Sequence, residues 1–306
     1  MYDIVIKNGK IYDGTKAKAY FADIAVKDGK IASIAQNIEG DAKTVIDAKG
    51  LCVSPGFIDI HSHSDTNFLD DDACQSKIFQ GVTTELAGQC GFTVFPYLEE
   101  KTDIMKAYVQ GKPQYIAHTM DEFIERAHKN GNKMAVNLAY IIGHGALRAN
   151  TAGFTNKATD EDNKKMAEML DHEMKSGAFG MSLGLGYAPG VMSNQEELNN
   201  LGAVVAKYDG IIMSHMRNQA DFIYDALEEM FEIYRKTGCR VDISHLKLGG
   251  KKNFGHADKL WKYIEDAQKS GIKVTADMYP YEASSSGITN IFPKWSLEGG
   301  IPKEAA

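Results

Sequence analysis

No uninterrupted apolar segment of the chain approaches the roughly 20 residues needed to cross a bilayer, so a membrane-spanning protein is not expected. Nor is there a long run of Lys and Arg: 34 basic residues against 41 acidic ones leave a formal net charge of −7. That balance is a poor match for nucleic acid or an anionic membrane surface, and a small molecule is the expected partner. The opening Met1-Tyr2-Asp3-Ile4-Val5-Ile6-Lys7 has neither the basic start nor the apolar stretch of a secretion signal. Cysteine is sparse: Cys52, Cys74, Cys90 and Cys239 lack the regular spacing of a small disulfide scaffold. Reduced thiols and a cytoplasmic location are expected, with metal or catalytic use open to one of the four. Two common chemistries are missing as well, since there is no Gly-x-Ser-x-Gly elbow and no Gly-x-x-x-x-Gly-Lys phosphate loop. The glycine-rich Gly180–Gly186 is not a dinucleotide fingerprint and is read as a tight turn at a strand end.

What is present suits a sizeable core, with 43% apolar residues in 306. The chain is longer than the usual domain of about 100–200 residues, although one barrel can reach about 250. Residues 1–54 carry short alternating β runs split by Asn8-Gly9 and Asp28-Gly29, both hairpin signals because those residues accept positive φ. This segment is expected to form a small antiparallel β-sandwich layer. From Pro55 the rhythm changes to apolar runs followed by longer amphipathic stretches. Gly56–Ile60, Val82–Ala87, Met134–Ile142, Ala178–Leu183, Gly210–Ser214, Arg240–Ser244 and Lys273–Met278 are the candidate strands. Glu161–Lys175, Asp221–Thr237 and Ala257–Ser270 are candidate helices between them. Repeated strand–helix units imply a parallel sheet, here one strand short of a (β/α)8 TIM-like barrel over residues 55–306.

The histidines fall at strand ends. His61 and His63 follow the first barrel strand, and residues i and i+2 of an extended chain point to one side, so both imidazoles can face one ion. His215 and His245 follow two later strands, and Cys90 sits just past another, within Gly-Gln-Cys-Gly. In α/β barrels that rim is where active-site groups converge. A lone histidine at a strand end is ordinarily polar loop chemistry, and a lone cysteine is more often a small buried hydrophobe. Four histidines at three strand ends recur too often for that account, so His61, His63, Cys90, His215 and His245 form a candidate metal-ligand set. Imidazole and thiolate ligands suit zinc or another late first-row divalent ion.

At this point the sequence resembles the amidohydrolase superfamily, through Val53-Ser54-Pro55-Gly56-Phe57-Ile58-Asp59-Ile60-His61-Ser62-His63. Within it, the chain resembles the N-acyl-D-amino-acid deacylases (D-aminoacylases). Gly81-Val82-Thr83-Thr84-Glu85, Gly88-Gln89-Cys90-Gly91, Gly143-His144-Gly145, Ser214-His215-Met216-Arg217, Ile243-Ser244-His245-Leu246-Lys247 and Asp277-Met278-Tyr279-Pro280-Tyr281 carry that likeness. Relatives that use a carbamylated lysine on strand four are a worse match, because Ala178–Leu183 contains no lysine.

The resemblance implies metal-dependent hydrolysis of the amide of N-acyl-D-amino acids. Cys90, His215 and His245 would form a tighter Zn2+ site, and His61 with His63 a second, weaker site sharing Cys90. Lys247 and Tyr279 would bind the substrate's α-carboxylate, with Tyr281 a competitor for the second role. His144 is left open between flanking the pocket and serving a structural turn; His118, His128, His172 and His256 are expected on the surface. Cys52, Cys74 and Cys239 are expected as packing residues. The family's catalytic Asp on strand eight has no counterpart up to Ala306, so the chain is expected to be a fragment, and Asp277 is not assigned that role. The alternatives are another cyclic-amide or dipeptide amidohydrolase, or an inactive amidohydrolase-like scaffold subunit.

Overall fold

The structure, a computed structural model, describes residues 1–64, 66, 74–109, 113–129, 135–287 and 292–299. Met134, at the start of an expected strand, and the terminal Ile301–Ala306 lie outside the described residues. The chain divides into two compact units, Met1–Phe57 and Ile58–Ala306.

The first unit holds strands β1 (Tyr2–Ile11), β2 (Tyr20–Lys27), β3 (Lys30–Ala35), β4 (Ala42–Asp47) and β5 (Cys52–Val53). They form one sheet in the order β3-β2-β1-β4, with β5 also on β1. The sheet is mixed, which corrects the all-antiparallel expectation: β2 runs antiparallel to β1, but β4 and β5 run parallel to it. β4 pairs with Tyr2–Lys7 and β5 with Lys10–Ile11, so β5 resumes along the same edge of β1 where β4 stops.

Of the two glycine turn signals only one makes a turn. Asp28 and Gly29 take φ of 52° and 70° and join β2 to β3, as a two-residue hairpin requires. Asn8-Gly9 instead lies inside β1, at a register shift between Ile6 and Gly9. The Asn8 N–H donates to Asp23 Oδ1 and its Nδ2 to Asp47 Oδ1, both at 2.9 Å, so neighbouring strands satisfy the bulge.

The second unit carries β6 (Phe57–Asp59, which starts at the unit boundary), β7 (Val82–Ala87), β8 (Asn137–Tyr140), β9 (Ile142–Gly143), β10 (Gly180–Gly184), β11 (Ile211–His215), β12 (Arg240–Ile243) and β13 (Val274–Ala276). They run in sequence order as β6-β7-β8 and β9-β10-β11-β12-β13, the second sheet parallel throughout. This is the wall of an α/β barrel, with β8 and β9 as one interrupted strand. Among the described residues no eighth barrel strand follows β13. Every residue of β10 is buried, which explains why such strands lack alternation in sequence.

Helices return the chain between strands, and their ends are written locally. Thr159 and Asp162 form a capping box before the helix Asp160–Lys175, and Asn194 caps Gln195–Lys207. Gly238, at φ 73°, ends the helix Ile223–Thr237. That helix buries Ile223, Ala226, Leu227, Met230 and Phe231, the i, i+3, i+4 spacing of one face set against the strands. No helix among the described residues is long and apolar enough to cross a membrane.

The consequence for function is positional. His61, Cys90, His215, His245 and Asp277 each sit at the C-terminal end of a barrel strand or within three residues of it. They share one rim.

Candidate metal centre

Cys90 is placed by a loop that presses against its neighbours. Gly88, Cys90 and Gly91 all take positive φ. A Cβ on Gly88 would lie 1.9 Å from the Ile141 carbonyl oxygen, and one on Gly91 2.6 Å from Gly184 N. Ser182, buried on β10, accepts the Gly91 N–H at 2.8 Å and donates to the Gly88 carbonyl. The Tyr187 hydroxyl donates to the carbonyl of Cys90 itself. The sulfur therefore sits on a backbone fixed from two sides.

Imidazoles surround that sulfur. His61 Nε2 and His245 Nε2 each lie 3.4 Å from Cys90 Sγ. Ligand atoms of His61, Cys90 and His245 all fall within 4.8 Å of one another. Bond lengths of about 2.3 Å to sulfur and 2.0–2.1 Å to nitrogen put the edge of a tetrahedral zinc site at roughly 3.5 Å, so these spacings fit the ion. His215 packs edge-on against His245, with ring centroids 4.6 Å apart, and His63 against His61 at 5.5 Å.

The electrostatics match a ligand cluster. Burial alone would push the Cys90 thiol up, but hydrogen bonds from His215, His245, His61 and His63 hold it well below its ordinary range. Burial lowers the His61 imidazole, yet Asp277 and Cys90 outweigh that and raise it to about 10. His245 is lowered, chiefly by burial. An isolated buried thiol behaves otherwise: Cys239 is pushed up to about 12 by burial.

Asp277 has a role the sequence did not disclose. Its Oδ2 lies 2.8 Å from His61 Nδ1, and its Oδ1 accepts the backbone N–H of His245 at 2.5 Å. His245 takes a left-handed φ of 39°, and this bond holds it there. One carboxylate thus orients two candidate ligands. Below it, Lys77 Nζ bonds Asp59 Oδ2 at 2.6 Å and Ser62 Oγ at 3.2 Å, bracing the turn that carries His61.

The cluster opens into a cavity of about 1150 Å³, whose lining includes Lys247, Tyr279 and Tyr281 beside the histidines. Lys247 Nζ lies 5.3 Å from the centre of the Tyr279 ring, and Tyr281, largely exposed, stacks on Tyr279 with centroids 6.4 Å apart. Both tyrosines remain within reach of a ligand. His144 is resolved as structural, fully buried with Nε2 on Glu197 Oε1 at 2.6 Å, while Arg148 pairs with the other oxygen. His118, His128, His172 and His256 are exposed. Cys52 is exposed rather than packed, because the short β5 lies at the sheet margin.

These features place the chain in a known class. It belongs to the amidohydrolase family, whose model matches residues 44–283. More particularly, it is 33% identical to the D-aminoacylase of Alcaligenes xylosoxydans xylosoxydans, over 93% of this chain and 58% of that protein. It is 31% identical to the N-acyl-D-glutamate deacylase of the same organism, again over 93% of this chain and 58% of that protein. The crystal structure of an N-acyl-D-glutamate deacylase from Bordetella bronchiseptica, complexed with zinc and a phosphonate that mimics the tetrahedral intermediate, superposes with a TM-score of 0.83. That match, at 32% identity, covers 92% of this chain and 59% of that one. The chain therefore spans somewhat under three-fifths of the length of these relatives.

Proposed function

We propose that this chain carries the metal-binding barrel of a hydrolase that cleaves the amide of N-acyl-D-amino acids, releasing a carboxylate and a free D-amino acid. The observation that carries the reading is Cys90 Sγ lying 3.4 Å from the Nε2 atoms of both His61 and His245, in the cavity that also presents Lys247 and Tyr279. The deacylase and D-aminoacylase relatives support it.

Cys90, His61 and His245 would hold a zinc ion, with His215 and His63 completing its surroundings. A zinc ion there supplies Lewis acidity toward the acyl carbonyl. Asp277 fixes the His61 ring and the His245 backbone, so the positions of both ligands are set in advance. The Lys247 ammonium and the Tyr279 hydroxyl hold the α-carboxylate, orienting the amide over the cluster. A linear amide is favoured over a cyclic one because the centre is built on Cys90, and β10, Gly180-Met181-Ser182-Leu183-Gly184, offers no lysine. Cys52, Cys90 and Cys239 stand as thiols outside any disulfide, which supports placement in the cytoplasm.

The test is release of free amino acid by the zinc-loaded protein from N-acetyl-D-amino acids, with the L-enantiomers and hydantoin as comparators. Turnover of the D-series supports the assignment. Turnover of hydantoin alone, or zinc bound with no hydrolysis of any of them, contradicts it.

A further inference from the structure

Gln219, four residues beyond His215 on the cavity wall, touches both halves of the site. Its Nε2 lies 3.0 Å from His245 Nδ1, and its Oε1 lies 2.7 Å from Lys247 Nζ. Lys247 Nζ also reaches the His245 carbonyl at 2.8 Å and His245 Nδ1 at 3.1 Å. The backbone of Gln219 is anchored separately, its carbonyl accepting Gly249 N–H at 2.7 Å, while its Nε2 also donates to the Ser244 carbonyl at 3.4 Å; turning the amide over breaks that long bond and leaves the loop in place.

We propose that Gln219 is a positioning residue that couples the metal ligand His245 to the carboxylate anchor Lys247 through the direction its amide faces. An ammonium only donates, so the Gln219 atom against Lys247 must be oxygen. The atom against His245 Nδ1 is then the amide nitrogen, and Nδ1 is surrounded by two donors. Nδ1 must therefore accept, and the neutral ring keeps its proton on Nε2, directed at Cys90 Sγ. That arrangement is incompatible with zinc on Nε2. A ligating Nε2 offers its lone pair, which moves the ring proton to Nδ1, where it faces an NH2 and an NH3+ group.

Turning the Gln219 amide over resolves the clash on one side and creates it on the other. Oε1 then accepts Nδ1–H, while the NH2 group confronts Lys247. Lys247 loses two of its three partners and is released into the cavity, toward the side where Tyr279 lies. Zinc binding thus frees the cation that the substrate carboxylate needs. The inference rests on the metal and carboxylate roles proposed above.

The experiment measures zinc affinity of the full chain, Gln219→Glu and Gln219→Met by competition with a chelator, together with crystal structures of the zinc-loaded wild type and Gln219→Glu. A carboxylate accepts from Nδ1–H and from Lys247 at once, so Gln219→Glu should tighten zinc by about tenfold and keep Lys247 Nζ within hydrogen-bond reach of residue 219. Gln219→Met removes the acceptor and should loosen zinc by about 10–100-fold. In the zinc-loaded wild type, Lys247 Nζ should lie beyond hydrogen-bond reach of Gln219. Equal zinc affinity in all three proteins, loosening by both substitutions, or Lys247 still bonded to Gln219 in the loaded wild type would overturn the proposal. A wild type that binds no zinc would remove the metal reading beneath it, an outcome distinct from these.

Discussion

The carboxylate of Asp277 and the imidazole of His61 are held 2.8 Å apart, Oδ2 to Nδ1, while the other oxygen takes the His245 N–H at 2.5 Å. A carboxylate in that place fixes the ring, sets its proton on Nδ1 and makes Nε2 a better donor to a metal. Asp277→Asn keeps the shape but removes the charge. It should weaken zinc binding by about 10–100-fold, measured by competition with a chelator, with little change in the far-ultraviolet circular dichroism. Unchanged zinc affinity would remove Asp277 from the account.

Cys90 and Cys239 are both buried, yet their thiols are pushed in opposite directions, Cys90 well below its ordinary range and Cys239 up to about 12. Since the thiolate is the nucleophile, iodoacetamide at pH 7 should alkylate Cys90 in zinc-free protein and spare Cys239. Zinc should protect Cys90. Peptide mass spectrometry reads both sites, and equal labelling of the two thiols would contradict the electrostatic reading of the cluster.

The loop that presents Cys90 tolerates no side chain at Gly91, where φ is 77° and a Cβ would sit 2.6 Å from Gly184 N. Gly91→Ala should cost about 1–3 kcal/mol of stability in urea and loosen zinc in parallel, because the backbone carrying the sulfur must shift. An alanine accommodated with neither effect would show that the loop is not held as described.

How far these features could be read from the chain alone differs by kind. The barrel strands were legible because they are short, mostly apolar runs, and β7 falls on the expected Val82–Ala87 without displacement. The candidate ligands were legible for a related reason: His61, Cys90, His215 and His245 each follow such a run. Asp277 was not, since its meaning depends on the chain after β13 lying across from the chain after β6, a proximity no local pattern records. Gln219 was hidden in the same way, by a hydrogen bond to a side chain 26 residues further on. Asn8-Gly9 misled because its local preference for a turn is satisfied equally well by a bulge, once Asp23 and Asp47 stand on adjacent strands.

Away from the cavity, Glu197 supports the fold through His144 and Arg148, all three buried. Burial opposes its ionisation, but those two partners prevail and hold the carboxyl below its ordinary 4.5. A lowered folded-state value means the stabilisation is fully present above the unfolded value, about pH 4.5, and is lost as pH falls through the folded one. Glu197→Gln leaves Arg148 buried without its charge partner and should destabilise by about 3–5 kcal/mol at pH 7. The gap between the variant and the wild type, followed by urea melts, should narrow below pH 4.5. A gap that widens on acidification would reverse the sign and contradict the assignment.

X-ray absorption at the zinc edge of the zinc-loaded chain reads out whether sulfur and imidazole meet at one ion. The prediction is one sulfur neighbour at about 2.3 Å with nitrogen at about 2.0–2.1 Å, and loss of the sulfur shell in Cys90→Ser. A shell of nitrogen and oxygen alone, identical in the wild type and in Cys90→Ser, would contradict it.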